Sequence, residues 1–251
     1  MTVLGVFVED RAGVRHVVLD RTEKKNALTV AMYEALAEAI VSAGRDDVGA
    51  LLIAARGDTF TAGNDLRDFL ENPPHGEDAP VSRFLTGLVT TDVPIVAAVR
   101  GAAVGIGTTM LLHCDVVFAS PTAKFKVPFV DLGLVPEAGS SVLLARRIGR
   151  ARAGAALYLG ETIGADQAYA DGLVTKLVAD DLLDAEAEAA ARAIAAKPRQ
   201  AVRETKRLVN HDRDAILAAM AREGSAFRAR LASDEARAAM AAFFERGARG
   251  R

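Results

Sequence analysis

Short apolar runs alternate with helical stretches from the start of the chain to about residue 180. Two β-rich runs, VLGVFVED and VRHVVLD, are separated by a charged turn that contains Gly13, which is typical of a hairpin. The runs VGALLIAA, VPIVAAV and DVVFAS follow along the chain and are predicted to be strands, the first of the kind that is buried on both faces. Because helical stretches lie among these runs, the pattern predicts an α/β fold built in layers.

The helical stretches fall into two groups. Residues 29 to 43 carry apolar residues at helical spacing, and Thr29 is a suitable N-cap for that helix. From Asp181 onwards the chain is rich in Ala, Arg and Glu and has little strand character, so further helices are predicted there. We therefore predict a core over residues 1–195 and a helical C-terminal region over residues 196–251.

The composition restricts the possible partners and compartments. With 251 residues, 51% of them hydrophobic, the chain can form a sizeable core. The formal net charge of -2 indicates neither a nucleic-acid partner nor an anionic membrane surface. The single cysteine, Cys114, excludes an internal disulfide and fits a reducing compartment. Since neither a signal peptide nor a run of the ~20 apolar residues of a membrane helix is visible, we predict a cytoplasmic protein.

Two glycine-containing turns are candidate parts of a functional site. In FTAGNDL, residues 60 to 66, Gly63 permits a backbone conformation that most residues avoid, so the turn can present a backbone N–H to a cleft. In RGAAVGIGTTM, residues 100 to 110, three glycines lie between an apolar strand and a predicted helix, where unpaired N–H groups suit an anion or a developing oxyanion. Each turn alone is also compatible with a purely structural role.

The third candidate is Glu137 in the apolar segment PFVDLGLVPEAGSS. Pro136 suits the first turn of a helix, so Glu137 fits a helix-start carboxylate that interacts with the helix dipole and contributes ~0.3–1 kcal/mol. The alternative is a general base in an apolar cleft, with a pKa set by burial and by that dipole. The residue alone favours the structural interpretation.

Motifs for several other chemistries are absent from the sequence. The four histidines and the single cysteine lack the spacing of metal ligands, so no metal site is predicted. A hydrolase nucleophile elbow, G-x-S-x-G, is missing, and the glycine spacing gives only weak support to a dinucleotide site.

In their order along the chain, the motifs resemble the crotonase (enoyl-CoA hydratase/isomerase) superfamily. The matching segments extend over about residues 3 to 210 and are EKKNAL, FTAGNDL, VPIVAAVRGAAVGIG, CDVVFAS, FKVPFVDLGLVPEAGSS and GETIGADQAYADGLVTKLV. Each segment alone is a modest match to the family, but the set of segments in this order is specific for it. The resemblance implies a crotonase-type spiral of repeated ββα units, a helical C-terminal trimerisation region, and a homotrimer or hexamer.

The same resemblance implies an acyl-CoA substrate and a set of site residues. By motif position, the backbone N–H groups of Asn64 and Ile106 form an oxyanion hole for the thioester carbonyl. Five further residues are expected along coenzyme A, beside its chain or at its adenine end: Lys25 and Ala27, then Ala62, Asp65 and Leu66. Coenzyme A is part of the substrate, so no separate cofactor is predicted.

Two departures from the family pattern narrow the expected reaction. A hydratase of this superfamily uses two glutamates to hold and activate a water molecule. The first would occupy the position of Thr109, and the second the position of Phe129. Since a single positioned proton-transfer group typically contributes ~10²–10⁴-fold to a rate, the absence of both argues against efficient hydration by this mechanism.

The pattern PFxxLGLxPExxSS resembles the monofunctional Δ3,Δ2-enoyl-CoA isomerases, in which the glutamate after the proline is the base. It therefore predicts that Glu137 moves a proton from C2 to C4 of a 3-enoyl-CoA. One alternative is an enoyl-CoA hydratase or another crotonase reaction on a specialised acyl-CoA. Another alternative is a non-catalytic acyl-CoA binder. The sequence predicts no acyl chain length.

Overall fold

A computed structural model describes residues 2–3, 5–74, 76 and 78–249. Residues 1, 4, 75, 77, 250 and 251 of the two predicted regions lie outside the described residues. The strands are β1 (Thr2–Val3), β2 (Val6–Arg11), β3 (Val14–Leu19), β4 (Ala50–Ala55), β5 (Ile95–Val99), β6 (Ala102–Val104), β7 (Val116–Ala119), β8 (Lys124–Lys126), β9 (Ile163–Gly164) and β10 (Lys176–Leu177).

The helices connect these strands and then continue alone to the end of the described chain. They are α1 (Val30–Ala43), α2 (Leu66–Glu71), α3 (Pro80–Thr90), α4 (Ile106–Thr109), α5 (Ser140–Ile148), α6 (Arg150–Tyr158), α7 (Ala165–Ala170), α8 (Leu183–Ala195), α9 (Arg199–Val209), α10 (Arg213–Leu231) and α11 (Asp234–Arg249). Three 3₁₀ turns complete the set: Thr22–Lys24, Met110–His113 and Val130–Leu132.

The strands form two sheets. The larger has the order β1-β2-β3-β4-β5-β7-β10, and the smaller has the order β6-β8-β9. The predicted hairpin is confirmed, because β2 and β3 pair antiparallel from Val6 opposite Leu19 to Arg11 opposite Val14. From β3 through β4, β5 and β7 to β10 the neighbours are parallel. The predicted α/β layers are therefore confirmed.

Helix α1 shows why the sequence pattern succeeded for the core. Its side chains at Met32, Leu36 and Ile40 are buried against the larger sheet, as their spacing predicts. The hydroxyl of Thr29 accepts a hydrogen bond from the Met32 N–H at 3.3 Å and so caps the helix.

The segment GAAVGIG is more than the glycine-rich turn that the sequence indicated. It contains strand β6, whose Ala103 lies opposite Phe125 of β8. The helix that follows is also shorter than expected, because α4 gives way to the 3₁₀ turn Met110–His113. Strand β6 is held by residues distant in sequence, and such pairings leave little trace in a local pattern.

The C-terminal helices are confirmed, and they pack on the core. Helix α8 buries Leu183, Ala187 and Ala191 against one face of the larger sheet. Helix α10 contacts α3 and α5, and α11 contacts the turn Val130–Leu132. The division at residue 195 and the role of residues 196–251 in trimer contacts stay predictions. No helix within the described residues is long and apolar enough to cross a membrane.

We expect Lys206→Met to lower the free energy of unfolding by about 2 kcal/mol, because the change removes a charge-assisted hydrogen bond to Asp115 and leaves the buried Val93 carbonyl without this donor. The Lys206 ammonium, with a side chain only 3% exposed, donates to Asp115 at 2.8 Å and to the Val93 carbonyl at 2.9 Å. Urea unfolding measures the change, with the exposed Lys197→Met as the control. Equal stabilities of the two variants would contradict this account of how α9 is attached.

Candidate active site

Two glycine turns lie side by side at one edge of the core. The Thr61 N–H donates to the Ala102 carbonyl at 3.0 Å, and the Val104 N–H donates to the Thr61 carbonyl at 3.0 Å. Gly63, with a φ of 91°, lies so close that a Cβ there would be 2.9 Å from the Val104 carbonyl oxygen. Only glycine fits at this position, and the contact fixes the turn against β6.

These turns leave two backbone donors unused. Gly105 precedes α4 with a φ of 56° and a ψ of -118°, a conformation that glycine tolerates and that begins the helix abruptly. Within the part of the chain that the structure describes, neither the Asn64 N–H nor the Ile106 N–H donates to another residue. Both residues line one groove of about 1320 Å³. Free N–H groups at a helix start suit an oxyanion.

The groove brings together most of the predicted site residues. Those that line it are Ala27, Ala62, Asn64, Asp65, Leu66 and Ile106. Lys25 lies outside the lining, with an exposed side chain, and its backbone carbonyl accepts the Ala62 N–H at 2.9 Å. This hydrogen bond helps to hold the turn, and the predicted place of Lys25 beside the coenzyme A chain stays a prediction.

Charged residues of both signs line the groove. Four are cationic, namely Arg21, Lys24, Arg67 and Lys126, and four are acidic, namely Asp65, Asp68, Glu71 and Asp131. Arg21 pairs with Asp65 at 2.8 Å, and the same carboxylate accepts the Arg67 N–H at 3.2 Å at the start of α2. The cationic side chains are of the kind that contacts phosphates, while the charge of the lining as a whole is balanced.

Glu137 lies in a smaller pocket, of about 80 Å³, next to the groove. Three residues line both cavities: Asn64, Phe69 and Phe227. The predicted base and the first predicted oxyanion donor therefore face a shared space. The second donor, Ile106, lines the groove but not the smaller pocket.

The surroundings of Glu137 make its carboxyl a stronger base than usual. Removal from water raises the pKa of Glu137 from 4.5 to about 7. The Thr109 hydroxyl opposes this shift, because it donates to Oε1 of Glu137 at 2.5 Å, and the negative charge of Glu223 adds to it. A carboxyl with this pKa can both accept and return a proton near neutral pH.

The helix-start interpretation of Glu137 is wrong. Helix α5 begins at Ser140 with Gly139 as its N-cap, so Pro136 precedes the first turn. The side chain of Glu137 accepts from Thr109, and the N–H groups of Gly139 and Ser141 donate instead to the carboxylate of Glu223. Glu137 is therefore not held by the helix N-terminus.

The side chain of Asn64 is held by a residue that the sequence did not single out. The Tyr33 hydroxyl donates to Oδ1 of Asn64 at 2.5 Å, and Tyr33 is only 3% exposed. Burial raises the pKa of the Tyr33 phenol well above its ordinary value, and the negative charge of Glu137 raises it further. The phenol therefore stays a neutral donor beside the base.

Sequence reasoning missed Tyr33 and Glu223, and both left a detectable signal. Tyr33 is followed by Leu36 and Ala37 at helical spacing, which places a polar hydroxyl on a buried face that must find a partner. Glu223 lies between Ala219 and Phe227 on the buried side of α10. An acidic residue on an apolar helix face predicts a buried and paired carboxylate.

A family model described as enoyl-CoA hydratase/isomerase matches residues 9–249. The chain belongs to this family. The rat enoyl-CoA delta isomerase 2 is 32% identical over 249 residues, which cover 96% of this chain and 64% of the relative. A Mycobacterium leprae protein named "Probable enoyl-CoA hydratase echA8" is 35% identical over 247 residues, 97% of this chain and 96% of the relative.

The predicted crotonase fold is confirmed by solved structures. A crystal structure of an enoyl-CoA hydratase/isomerase from Pseudoalteromonas atlantica has a TM-score of 0.93 and 41% identity, and the match covers 96% of this chain and 97% of that one. Relatives with isomerase and with hydratase names both occur, so the family assignment leaves the specific reaction open. Among the described residues, no group of three or more His, Cys, Asp or Glu could hold a metal ion.

Glu137→Gln is expected to stabilise the protein by about 2 kcal/mol at about pH 8 and to have little effect near about pH 5. The pKa of Glu137 rises from 4.5 to about 7 on folding, so the folded state binds this proton more tightly. The wild type therefore loses stability as the pH rises from about 4.5 to about 7, and the neutral amide does not. Urea unfolding at the two pH values measures the difference. A wild type as stable as the variant at the higher pH would contradict the raised pKa.

Proposed function

We propose that this family member is a Δ3,Δ2-enoyl-CoA isomerase with Glu137 as its only proton-transfer base. The observation that carries the proposal is the carboxyl of Glu137, with a pKa of about 7. Among the described residues it is the one carboxyl that lines this pocket, which adjoins a groove with two backbone N–H groups that donate to no described residue. The positions at which a hydratase would carry its glutamates hold Thr109 and Phe129. A 1,3 proton shift needs one base that can return the proton that it removes, and Glu137 is that base in the described part of the pocket.

The proposed reaction uses three groups of the chain. The Glu137 carboxylate removes a proton from C2 of a 3-enoyl-CoA, and the electron pair moves onto the thioester oxygen to give a dienolate. The N–H groups of Asn64 and Ile106 donate to that oxygen, an interaction whose loss costs ~3 kcal/mol in comparable oxyanion holes. The carboxylic acid of Glu137 then protonates C4, the double bond moves to C2–C3, and the base is regenerated.

The walls of the two cavities support proton transfer over hydration. Phe129 and Leu134 in the groove are buried, as are Phe69 and Phe227 where groove and pocket meet. Apolar walls exclude water and strengthen the hydrogen bonds to a developing oxyanion. Thr109 donates to Glu137 and supplies no second carboxylate to orient a water molecule.

The proposed substrate is an acyl-CoA. Its phosphates would meet the cationic residues of the groove, and its thioester would reach Asn64, with the acyl chain beyond in the pocket of Glu137. The roles of Lys25, Ala27, Ala62, Asp65 and Leu66 along coenzyme A are part of this proposal, and the absence of a separate cofactor stays a prediction. The chain spans 64% of the length of the rat isomerase, so the activity of that longer protein is assigned to this chain only as a proposal.

We also propose a homotrimer or hexamer. Large apolar side chains are exposed at the end of α6, with Tyr158 at 76% and Leu159 at 70%, and Tyr169 of α7 is 53% exposed. Exposed apolar side chains that lie together are typical of subunit contacts. Light scattering coupled to gel filtration would contradict this proposal if it gave a monomer mass. The cytoplasmic location stays a prediction.

Glu137→Gln is expected to lower kcat on a short 3-enoyl-CoA by ~10²–10⁴-fold, because the amide cannot accept the C2 proton. The KM should change little, since the amide keeps the shape of the carboxyl. The matched control is Glu161→Gln, an exposed glutamate outside both cavities. A near-wild-type rate for Glu137→Gln would refute the proposed base. Rapid formation of 3-hydroxyacyl-CoA from a 2-enoyl-CoA by the wild type would instead favour the hydratase alternative.

Thr109→Val is expected to move the rise of kcat with pH to higher pH. The hydroxyl donates to the charged form of Glu137 and lowers its pKa, so its removal raises the pKa further. Thr109→Ser keeps the donor and should follow the wild-type profile. The pH dependence of kcat for the three proteins measures the effect, and a shift to lower pH in Thr109→Val would be the wrong sign for this account.

A further inference from the structure

Glu223 is a buried carboxylate with three donors, and the proposed reaction does not use it. It is only 7% exposed. It accepts the Gly139 N–H at 2.6 Å, the Ser141 N–H at 2.9 Å and the Ser141 hydroxyl. A buried carboxylate needs such partners to remain charged. Helix α10 in this way supplies the cap of α5, a helix more than 80 positions earlier in the chain.

The segment that Glu223 holds follows Glu137 directly and has an unfavourable backbone shape. Ala138 has a φ of 58° and Gly139 a φ of 72°, two successive left-handed residues. The left-handed conformation is unfavourable for a residue with a Cβ, so surrounding contacts must maintain it at Ala138. One contact is the His113 Nε2–H, which donates to the Ala138 carbonyl at 2.8 Å. Glu223 provides two more, through the N–H groups of Gly139 and Ser141.

Glu223 also accepts hydrogen bonds from the N-terminus of α5 that could otherwise reach Glu137. The unpaired N–H groups at a helix start form a positive end that stabilises a nearby carboxylate. If these groups were free to interact with Glu137, they would favour its charged form and weaken it as a base. Glu223 occupies two of them, and its own negative charge acts on Glu137 in the opposite sense.

We propose that Glu223 is a positioning residue for Glu137: its carboxylate holds the Ala138–Gly139 turn in shape and keeps the N–H groups of α5 away from the base. This inference rests on the proposed role of Glu137. It assigns to the helical C-terminal region a part in the chemistry of its own chain, since α10 carries both Glu223 and Phe227 of the pocket wall.

The other groups that face Glu137 cannot replace this effect. Tyr33 of α1 is a neutral phenol and Thr109 of α4 is a neutral hydroxyl. Arg228 of α10 lines the same pocket, and the positive charge of a guanidinium acts on a carboxyl in the opposite sense to that of Glu223. Removal from water lowers the pKa of His113 to about 4, so this side chain is neutral. Among the charged groups near Glu137 that the structure describes, Glu223 is the one that opposes ionisation of the base.

Glu223→Gln tests the proposal with two readouts. The first is the ¹³C chemical shift of the Glu137 carboxyl during a pH titration, assigned by its loss in Glu137→Gln. We expect the midpoint to fall by at least about 0.5 pH units, since a like charge is removed and the α5 amides are released. The second is steady-state kinetics on a 3-enoyl-CoA. We expect kcat to fall about 10-fold or more, with KM nearly unchanged and the rise of kcat moved to lower pH.

Two controls separate positioning from loss of structure. Asp214→Asn removes an exposed carboxylate from the same helix, and Ile216→Val trims a buried side chain that lies against Gly139. Both should leave the Glu137 midpoint unchanged, even where Ile216→Val lowers the melting temperature. If Glu223→Gln does not fold, Glu223→Asp keeps the charge but is too short for both α5 amides, and a fall in kcat at constant KM is expected.

The readouts distinguish this inference from the proposed function. An unchanged midpoint in Glu223→Gln, with a wild type that isomerises 3-enoyl-CoA, would overturn the positioning role and leave the function intact. A shifted midpoint in a wild type without isomerase activity would support the positioning role and overturn the function. For Glu223→Asp, an unchanged kcat would also overturn the inference.

Discussion

The site depends on one short backbone pairing. Thr61 is hydrogen-bonded on both sides to β6, at Ala102 and at Val104, and this pairing sets the two glycine turns next to each other. Without it, the Asn64 and Ile106 N–H groups would belong to unrelated loops. Gly63 makes the approach possible, because any side chain there would meet the Val104 carbonyl. The groove, the oxyanion donors and the entrance to the Glu137 pocket follow from this arrangement.

The proposed reaction also requires surroundings that disfavour the charged form of Glu137 and so raise its pKa. Burial is the main cause of its raised pKa, and the two polar neighbours act in opposite directions. Thr109 favours the charged form by donating a hydrogen bond, whereas Glu223 disfavours it by its charge. These two opposing effects suit a base whose pKa lies near the working pH. Its carboxylate must be deprotonated at the start of a turnover and protonated midway.

Much of the fold was predictable because its signals are local. The hairpin, helix α1 with its Thr29 cap, and the helical C-terminal region follow from periodicity and capping, and the ordered motifs identified the family. Strand β6 was not predictable in this way, because its partners at Thr61 and Phe125 are distant in sequence. The motifs could name Glu137 but not the residues that tune it. Glu223 acts from 86 positions further along the chain, and only packing shows that it holds the Gly139 turn.

The helix-start interpretation of Glu137 failed for a related reason. A proline followed by an acid is a sound local signal for a helix N-terminus. Here the chain makes two left-handed residues before the helix begins, and a distant carboxylate takes the cap. The rule for a helix-start carboxylate applies here to Glu223, which accepts from the N–H groups at the start of α5, and not to Glu137.

The most direct test of a single mobile base is the fate of the proton at C2. A 3-enoyl-CoA that carries deuterium at C2 should give a 2-enoyl-CoA in which part of the deuterium is found at C4, because the same buried carboxyl accepts and returns it. Mass spectrometry and ²H NMR of the product after a single turnover would detect this transfer. Product with no deuterium at C4 above natural abundance, or 3-hydroxyacyl-CoA as the main product, would contradict the account.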